Sequence, residues 1–340
     1  MELLPLGPVV IVDTPGIDDE GTLGEMRVKK TKQVLNYIDI AVLVVDATLG
    51  LQQIDREMLT LFDKKKIPFV VAYNKSDLFM ENAQLDDNTV LVSAKNGTNI
   101  NELKNRIAQA VKLQNENKRV VGDLLKAGDI VVLVTPIDSA APKGRLILPQ
   151  QMTIRDILDA GAIPVVTRET ELKTTLEALK EKPRMVITDS QAFGFVSKIV
   201  GEDIPLTSFS ILMARYKGSL ESAVKGAEKM KNLNDGDTIL ISEGCTHHRQ
   251  CGDIGTQKLP KWLKEYSGKE LNFKFTSGKD FPEDLNGVSL VVHCGGCMLT
   301  EREMQYRRRF CEENNVPITN YGTAIAQVNG ILDRSLQPIK

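Results

Sequence analysis

An excess of charge of one sign is the first thing this sequence lacks. Lys and Arg number 43 and Asp and Glu number 45, which gives a net charge of −2 over 340 residues. This near balance argues against nucleic acid and anionic membranes as partners, because both are held by an excess of positive charge. Long hydrophobic runs are also missing: the aliphatic stretch 40–45 has six residues, against about 20 for a membrane-spanning helix. The N-terminal residues show no secretory signal pattern, so the expected location is the cytoplasm.

Cysteine and histidine are scarce, but they are concentrated. All five Cys and all three His lie in the last 96 residues of the chain. In a reducing cytoplasm this clustering favours metal binding over disulfides. Apolar residues make up 42% and charged residues 26%, as in ordinary globular proteins, which excludes a disordered or fibrous chain.

The apolar pattern predicts alternating strands and helices, which is typical of α/β domains with parallel sheets. In the first part, strands are expected at 9–13, 40–47, 68–74 and 90–92, and helices at 21–37, 53–66 and 99–112. In the second part, strands are expected at 129–136, 163–167 and 185–189, and helices at 151–161 and 169–180. The third part has strands at 206–209, 238–242 and 289–293 and one long helix at 211–230. We therefore expect domains over residues 1–113, 128–203 and 204–340, with a polar linker over 114–127.

Three motifs stand at the carboxyl ends of strands predicted in the first part. In Asp13-Thr14-Pro15-Gly16 the acid is suited to a hydrated Mg²⁺ beside a γ-phosphate, and the glycine admits a backbone N–H. In Asn74-Lys75-Ser76-Asp77 the last carboxylate is suited to the two adjacent N–H donors of guanine, and in Ser93-Ala94-Lys95 a backbone N–H is suited to its carbonyl oxygen. Each motif alone is a common strand-end turn. The ordered trio resembles the third, fourth and fifth signature elements of the Ras-like GTPases, particularly their translation-factor-related branch.

The phosphate-binding loop of those GTPases, Gly-x-x-x-x-Gly-Lys-Ser/Thr, does not occur in the sequence. In the family it precedes the Asp-Thr-Pro-Gly element, where only 12 residues stand here, so we interpret the chain as N-terminally truncated. GTP and Mg²⁺ are expected to bind weakly, and hydrolysis is expected to be negligible. Ile17 replaces a water-orienting Gln, and no residue is assigned a catalytic role. Some relatives use K⁺ instead, and the sequence without that loop leaves the use of K⁺ open.

Two loops in the last part carry residue types that bind metals. Cys245-Thr246-His247 follows one predicted strand, and His293-Cys294-Gly295-Gly296-Cys297 closes another. Glycines between Cys294 and Cys297 let both thiolates reach one centre, and Cys245 supplies a third. His247 and His293 are candidates for a fourth ligand. We interpret the glycines and histidines as site residues without a packing role.

The residue types leave the metal open. Three thiolates and one His satisfy tetrahedral zinc, whereas three thiolates with an unsettled fourth ligand suit a [4Fe–4S] cluster with a labile iron. His248 and Cys251 are either spare ligands or solvent-facing. Cys311 is interpreted as structural, and the preceding Arg307-Arg308-Arg309 as a solvated helix face.

GTPase motifs followed by Cys-x-His and His-Cys-x-x-Cys form an unusual combination, in which the chain resembles the HydF family of [FeFe]-hydrogenase maturation GTPases. The resemblance covers the full chain. It implies an incomplete Ras-like GTPase domain with a parallel sheet, followed by an α/β dimerisation domain and an α/β iron–sulfur cluster-binding domain. It also implies that Cys245, Cys294 and Cys297 hold a [4Fe–4S] cluster, with the fourth position exchangeable or filled by His247 or His293.

The resemblance further implies a function and partners. Members of the family accept a di-iron precursor built with two radical-SAM maturases and pass it to the apo-hydrogenase. A homodimer is expected, with GTP gating the exchange through the loop 13–19. The family-like stretch Arg215-Tyr216-Lys217-Gly218 is interpreted as turn and packing chemistry. The alternative is a translation-factor-class GTPase with a structural zinc site, acting in ribosome or tRNA biology.

Overall fold

The computed structural model of the protein describes residues 2–3, 6–14, 31, 34–78, 86–115, 118–137, 146–244, 253–278 and 280–339. The chain divides into two units, residues 1–118 and 119–340. Among the described residues, no helix combines the length and the apolar character that crossing a bilayer requires.

A parallel sheet with the strand order β3-β4-β5 lies at the centre of the first unit. The elements are β1 (Glu2–Leu3), β2 (Gly7–Pro8), β3 (Ala41–Asp46), α1 (Gln53–Lys64), β4 (Phe69–Asn74), β5 (Thr89–Leu91) and α2 (Ile100–Asn115). Asp55 accepts a hydrogen bond from the backbone N–H of Gln52 at 2.9 Å, which caps α1. Met58 and Phe62 form the buried face of this helix. The strands predicted at 40–47, 68–74 and 90–92 and the helices predicted at 53–66 and 99–112 are therefore confirmed, to within a few residues at their ends.

The strand predicted at 9–13 is wrong. This segment follows β2, which pairs antiparallel with β1, and it has no regular structure itself. Val10 is 90% and Ile11 72% exposed. No strand among the described residues pairs with the segment, and apolar composition does not make a strand without a hydrogen-bonded neighbour. Most of the helix predicted at 21–37 lies outside the described residues.

The second unit contains two further parallel sheets. The first has the order β7-β6-β8-β9. Its strands and helices are β6 (Ile130–Val134), α3 (Leu148–Asp159), β7 (Ile163–Thr167), α4 (Leu172–Ala178), β8 (Met185–Thr188), α5 (Phe193–Ile199) and β9 (Leu206–Ser208). All neighbouring strands are parallel, as the βαβ pattern predicted.

The second of these sheets has the order β11-β10-β12-β13 and is also parallel throughout. Its elements are α6 (Phe209–Tyr216), α7 (Leu220–Lys229), β10 (Thr238–Glu243), α8 (Leu259–Ser267), β11 (Asn272–Ser277), β12 (Leu290–His293), α9 (Glu301–Glu313), β13 (Ile318–Asn320), α10 (Tyr321–Val328) and α11 (Leu332–Leu336). Neighbouring β10 and β12 pair Ser242 with His293, which brings the ends of the two strands together.

The long helix predicted at 211–230 is wrong, because the segment forms two helices, α6 and α7. Gly218 lies between them at φ +67°, a left-handed conformation that only glycine adopts without strain. The N–H of Ser219 closes the turn by donating to the carbonyl oxygen of Ala214 at 2.8 Å. The change of direction lets α7 pack on β13: a Cβ added at Gly226 would lie 2.2 Å from the carbonyl oxygen of Ile318.

One apolar core joins the two sheets of the second unit. It includes fully buried Val132 and Val186 from one sheet and Ile239 and Val292 from the other. Because removal of a buried aliphatic side chain costs about 2–5 kcal/mol, this shared core stabilises both sheets as a single body. The loops that follow β10 and β12 are built on this body.

Candidate functional site

The predicted guanine-binding motifs lie together in the first unit. The side-chain oxygen of Asn74 accepts a hydrogen bond from the N–H of Ala94 at 3.0 Å, and Asp77 accepts one from the hydroxyl of buried Ser93 at 2.7 Å. These bonds connect the loop after β4 to the loop after β5. Asp77, Ala94 and Lys95 are exposed at this edge of the sheet. These hydrogen bonds hold the exposed Asp77 carboxylate beside the loop after β5.

Lys75 positions the same loop from the other side. Its backbone is left-handed at φ +66°, and its Nζ contacts an Asp46 carboxylate oxygen at 2.6 Å. This ion pair lowers the pKa of Asp46 to about 2, with the Thr48 hydroxyl and N–H contributing. Asp46 closes β3, so the pair joins the ends of two adjacent strands. The ion pair is exposed, and its role is therefore orientation more than stability.

The predicted Mg²⁺ and phosphate motif is described only in part. Asp13 is exposed and Thr14 half-buried, both in irregular backbone, while Pro15 and Gly16 lie outside the described residues. Among the residues that are described, nothing brings Asp13 into contact with Asn74 or Asp77.

In the second unit, the loops after β10 and β12 meet at Cys294. Its sulfur accepts hydrogen bonds from the N–H of Gly244 at 3.0 Å and of Gly296 at 3.3 Å. A Cβ added at Gly244 would lie 3.5 Å from the Cα of Gly296 and 2.8 Å from the Leu299 side chain, so this close approach requires glycine. Two N–H donors stabilise a thiolate over a thiol. Cys297 is half-buried in the same loop.

The described residues include only part of the predicted metal-binding set. Within 146–244, 253–278 and 280–339, no group of three or more His, Cys, Asp or Glu side chains forms a metal site. Cys245, His247, His248 and Cys251 lie outside the described residues. The structure therefore brings the backbone of Gly244, the residue before Cys245, to the sulfur of Cys294, and it describes no complete ligand set.

His293 uses both ring nitrogens in hydrogen bonds. Nε2 lies 3.0 Å from Nη1 of Arg307, and Nδ1 lies 2.8 Å from the carbonyl oxygen of Cys294. Because a guanidinium can only donate, Nε2 is the acceptor, and Nδ1 carries the proton and donates to Cys294. Burial, with a contribution from Arg307, lowers the pKa of His293 to about 3. For His293 to bind a metal, one of these hydrogen bonds would have to be broken.

Arg307 is fully buried, so the prediction of a solvated face for Arg307-Arg308-Arg309 is wrong at its first residue. Its Nε donates to Glu303 at 2.7 Å, and Nη2 donates to the carbonyl oxygen of Gly278 at 2.8 Å. Its guanidinium also lies 4.9 Å from the centre of the Phe281 ring. The side chain lies on the inner face of α9 and supports the ends of β10, β11 and β12.

Two packing roles differ from the sequence interpretation. Gly296 has φ +60°, and a Cβ added there would lie 2.5 Å from Sδ of Met304, so this glycine serves packing as well as the site. His293, too, is a packed residue.

Cys311 is fully buried, and burial with the neighbouring Glu312 raises the pKa of its thiol to about 12. A thiol held neutral in a core is structural.

Lys217 is a functional candidate, although the sequence interpretation assigned its stretch, 215–218, to turn and packing chemistry. It follows α6 and is only 5% exposed. Its Nζ donates to the carbonyl oxygens of Gly296 and Leu299, the latter at 2.7 Å. Burial lowers the pKa of Lys217, while the nearby Cys297 and Cys294 oppose this shift. No local signal distinguishes this lysine from a surface one, since its acceptors lie about 80 residues away in sequence.

A buried acid also lies beside the cysteine loop. Glu243, the last residue of β10, is 5% exposed and accepts a hydrogen bond from the hydroxyl of Tyr321 at 3.2 Å. Burial, with Glu243 nearby, raises the pKa of this tyrosine. Gly255 packs against both groups: a Cβ there would lie 2.3 Å from the tyrosine hydroxyl oxygen. The spacing of these residues in sequence gives no signal of the contact.

Comparison with protein families finds three domain matches along the chain, of which the first two overlap over residues 120–134. The elongation factor Tu GTP binding domain matches residues 8–134. The hydrogen maturase F dimerization domain matches residues 120–218, and the hydrogen maturase F tetramerization domain matches residues 221–338. The protein is thus an α/β GTPase-domain protein with two appended oligomerisation domains. Because both appended domains are those of hydrogen maturase F, the chain belongs to the HydF family of hydrogenase maturase GTPases.

Individual relatives match only part of this chain. The tRNA modification GTPase MnmE of Legionella pneumophila (strain Corby) is 39% identical over 111 residues, 32% of this chain and 24% of the relative. GTPase Era of Rippkaea orientalis is 33% identical over 88 residues, 26% of this chain and 28% of the relative. GTPase Der of Nautilia profundicola is 31% identical over 128 residues, 33% of this chain and 27% of the relative. The chain thus spans about a quarter of the length of these relatives.

Proposed function

We propose that the protein is a scaffold and carrier in [FeFe]-hydrogenase maturation, which binds a [4Fe–4S] cluster and passes a di-iron precursor to the apo-hydrogenase. Cys245, Cys294 and Cys297 are the proposed cluster ligands, and the fourth position is exchangeable or filled by His247 or His293. The observation that carries the proposal is the 3.0 Å hydrogen bond from the N–H of Gly244 to the sulfur of Cys294. Cys245 directly follows Gly244, and consecutive Cα atoms lie about 3.8 Å apart. The bond therefore supports a common centre for Cys245 and Cys294.

The sulfur atoms of Cys294 and Cys297, with the backbone N–H groups around Cys294, suit an iron–sulfur cluster. Hydrogen bonds from two backbone N–H groups to the sulfur of Cys294 are of the kind that sets the properties of such clusters. When bound, the cluster would supply an exchangeable iron position for the cargo. Gly244 and Gly296 let the two backbone segments pack closely beside Leu299 and Met304, and His293 donates a hydrogen bond to the carbonyl oxygen of Cys294. Since His293 is held by Arg307, His247 is the better candidate for the fourth ligand.

The GTPase part would act as a gate in this proposal. Asp77, with Asn74, Lys75, Ser93, Ala94 and Lys95, would recognise guanine, and Asp13, Thr14, Pro15 and Gly16 would contact Mg²⁺ and the γ-phosphate. Because the 340 residues contain no Gly-x-x-x-x-Gly-Lys-Ser/Thr loop, we expect weak GTP and Mg²⁺ binding and little hydrolysis. Residues 1–113, 128–203 and 204–340 would be the GTPase, dimerisation and cluster-binding domains.

The partners follow from the same proposal. Two radical-SAM maturases would supply the precursor, the apo-hydrogenase would receive it, and a homodimer in the cytoplasm would carry it. The dimerization and tetramerization domain matches support assembly into oligomers. The balanced charge of the chain makes nucleic acid an unfavourable partner. Size-exclusion chromatography with light scattering would measure the assembly, and a monomer at micromolar concentration would contradict it.

Anaerobic reconstitution with ferrous iron and sulfide tests the cluster. The wild-type chain should take up about four iron and four sulfide per chain and give a cluster EPR signal on reduction. Cys294→Ala should lose most of this iron, whereas the matched Cys311→Ala, which removes a buried thiol of the same unit, should keep it. A colourless wild-type protein carrying one zinc would instead favour the structural-zinc GTPase of ribosome or tRNA biology.

A further inference from the structure

A positive charge is buried beside the cysteine pair. Lys217 lies in the segment between α6 and α7, yet its ammonium group bonds the carbonyl oxygens of Gly296 and Leu299, within and just after the Cys294–Cys297 loop. Two main-chain carbonyls solvate the charge without neutralising it. Among the described residues, Lys217 forms no ion pair with a carboxylate, in contrast to Arg307, which is paired with Glu303 at 2.7 Å.

From this geometry we infer that Lys217 is a positioning and charge-tuning residue of the cysteine site, suited to an anionic thiolate-bound iron–sulfur centre. The inference rests on the proposed function. Lys217 holds the loop in place through Gly296, whose N–H in turn donates to the sulfur of Cys294 at 3.3 Å. It therefore connects the start of the α6–α7 turn with a cluster ligand by two hydrogen bonds.

The charge has a further consequence. An ammonium group has three N–H donors, and the carbonyls contacted among the described residues account for two of them. The third donor is suited to a sulfur or another anionic ligand of the centre. A reduced cluster carries one more negative charge than an oxidised one, so a buried cation stabilises the reduced form more strongly. Lys217 should accordingly raise the reduction potential of the cluster.

The test compares Lys217→Met with the wild type after anaerobic reconstitution with ferrous iron and sulfide. Iron content and the midpoint potential, followed by EPR, are the two readouts. We expect Lys217→Met either to lose at least half of its iron or to show a tenfold higher oxidised-to-reduced ratio of the cluster at a fixed potential. For one electron, this ratio corresponds to a midpoint potential lower by about 59 mV. Lys217→Arg keeps the charge and should restore both values.

Lys225→Met is the matched control, because it removes the same charge from an exposed lysine paired with Glu221 on α7. It should leave both readouts unchanged. The inference is overturned if loaded Lys217→Met has wild-type iron and potential, or if Lys225→Met shifts the potential as far. It is also overturned if Lys217→Gln, which keeps a donor but removes the charge, behaves as wild type. Failure of Lys217→Arg along with Lys217→Met and Lys217→Gln would assign the residue to packing alone.

These outcomes separate the inference from the proposed function. A wild-type protein that takes up no iron refutes the proposed function, and the inference with it. A loaded wild type, together with a Lys217→Met variant that has wild-type iron content and midpoint potential, refutes the inference and leaves the proposed function standing.

Discussion

The buried Arg307 offers the sharpest test of how the cysteine site is supported. Its side chain is fully buried, and its ion-pair partner Glu303 is only 9% exposed. Arg307→Met removes the charge and four hydrogen bonds, which run to Glu303, His293, Ser242 and the carbonyl oxygen of Gly278. Removing one partner of a buried ion pair leaves the other charge uncompensated, which costs about 3–5 kcal/mol. We expect a loss of this size in the free energy of unfolding of the second unit.

The assay is urea unfolding followed by tryptophan fluorescence. The chain has a single Trp, Trp262, which lies on α8 and packs against the core shared by the two sheets. Its signal therefore reports the unit that contains Arg307. The matched control is Arg308→Met, the next residue on α9, whose 3.4 Å pair with Glu312 is much more exposed. That exposed pair should contribute less than about 1 kcal/mol.

A double variant separates the ion pair from packing. Glu303→Gln combined with Arg307→Met leaves no buried charge unpaired, so the double variant should be more stable than Arg307→Met alone. A loss below about 1 kcal/mol for Arg307→Met would refute the reasoning. A loss equal to that of Arg308→Met would show that Arg307 has no special role.

Three other predictions concern the two sites. Because the pKa of His293 is lowered to about 3, against about 6.5 in the unfolded chain, unfolding takes up a proton between these two pH values and the stability falls as the pH drops. In this range, His293→Gln should lower the slope of the unfolding free energy against pH by about 1.4 kcal/mol per pH unit. An unchanged slope would contradict this prediction. Gly296→Ala places a side chain at φ +60° and against Met304, so its free energy of unfolding in the same fluorescence assay should fall by about 1–3 kcal/mol. Adding Met304→Ala should recover part of this loss, whereas a Gly296→Ala variant as stable as the wild type would show that the loop relaxes freely. Asp77→Asn should shift nucleotide preference from guanine towards xanthine, because the amide donates where the carboxylate accepts; competition between the two triphosphates measures it, and unchanged preference would remove Asp77 from the base site.

Local sequence patterns were sufficient for most elements of the parallel sheets. The valine-rich runs at β3 and β6 and the amphipathic pattern at α1 depend on neighbours within a few residues, so periodicity predicts them. The predicted strand at 9–13 was wrong because strand formation depends on a distant partner. The predicted helix over 211–230 was wrong because Gly218 reverses the chain at a single residue.

The sequence by itself determined the α/β class and the strand-end position of the motifs at residues 74–77 and 93–95, and it led to the proposal of Cys294 and Cys297 as site residues. These features follow from residue type and short-range spacing. Only the tertiary structure decided that Arg307 is buried behind His293, that Lys217 lies at the cysteine loop, and that Gly244 contacts the sulfur of Cys294. Those contacts join residues 14 to 79 positions apart, and hydrogen bonding and desolvation act over distance in space, which spacing along the chain does not encode.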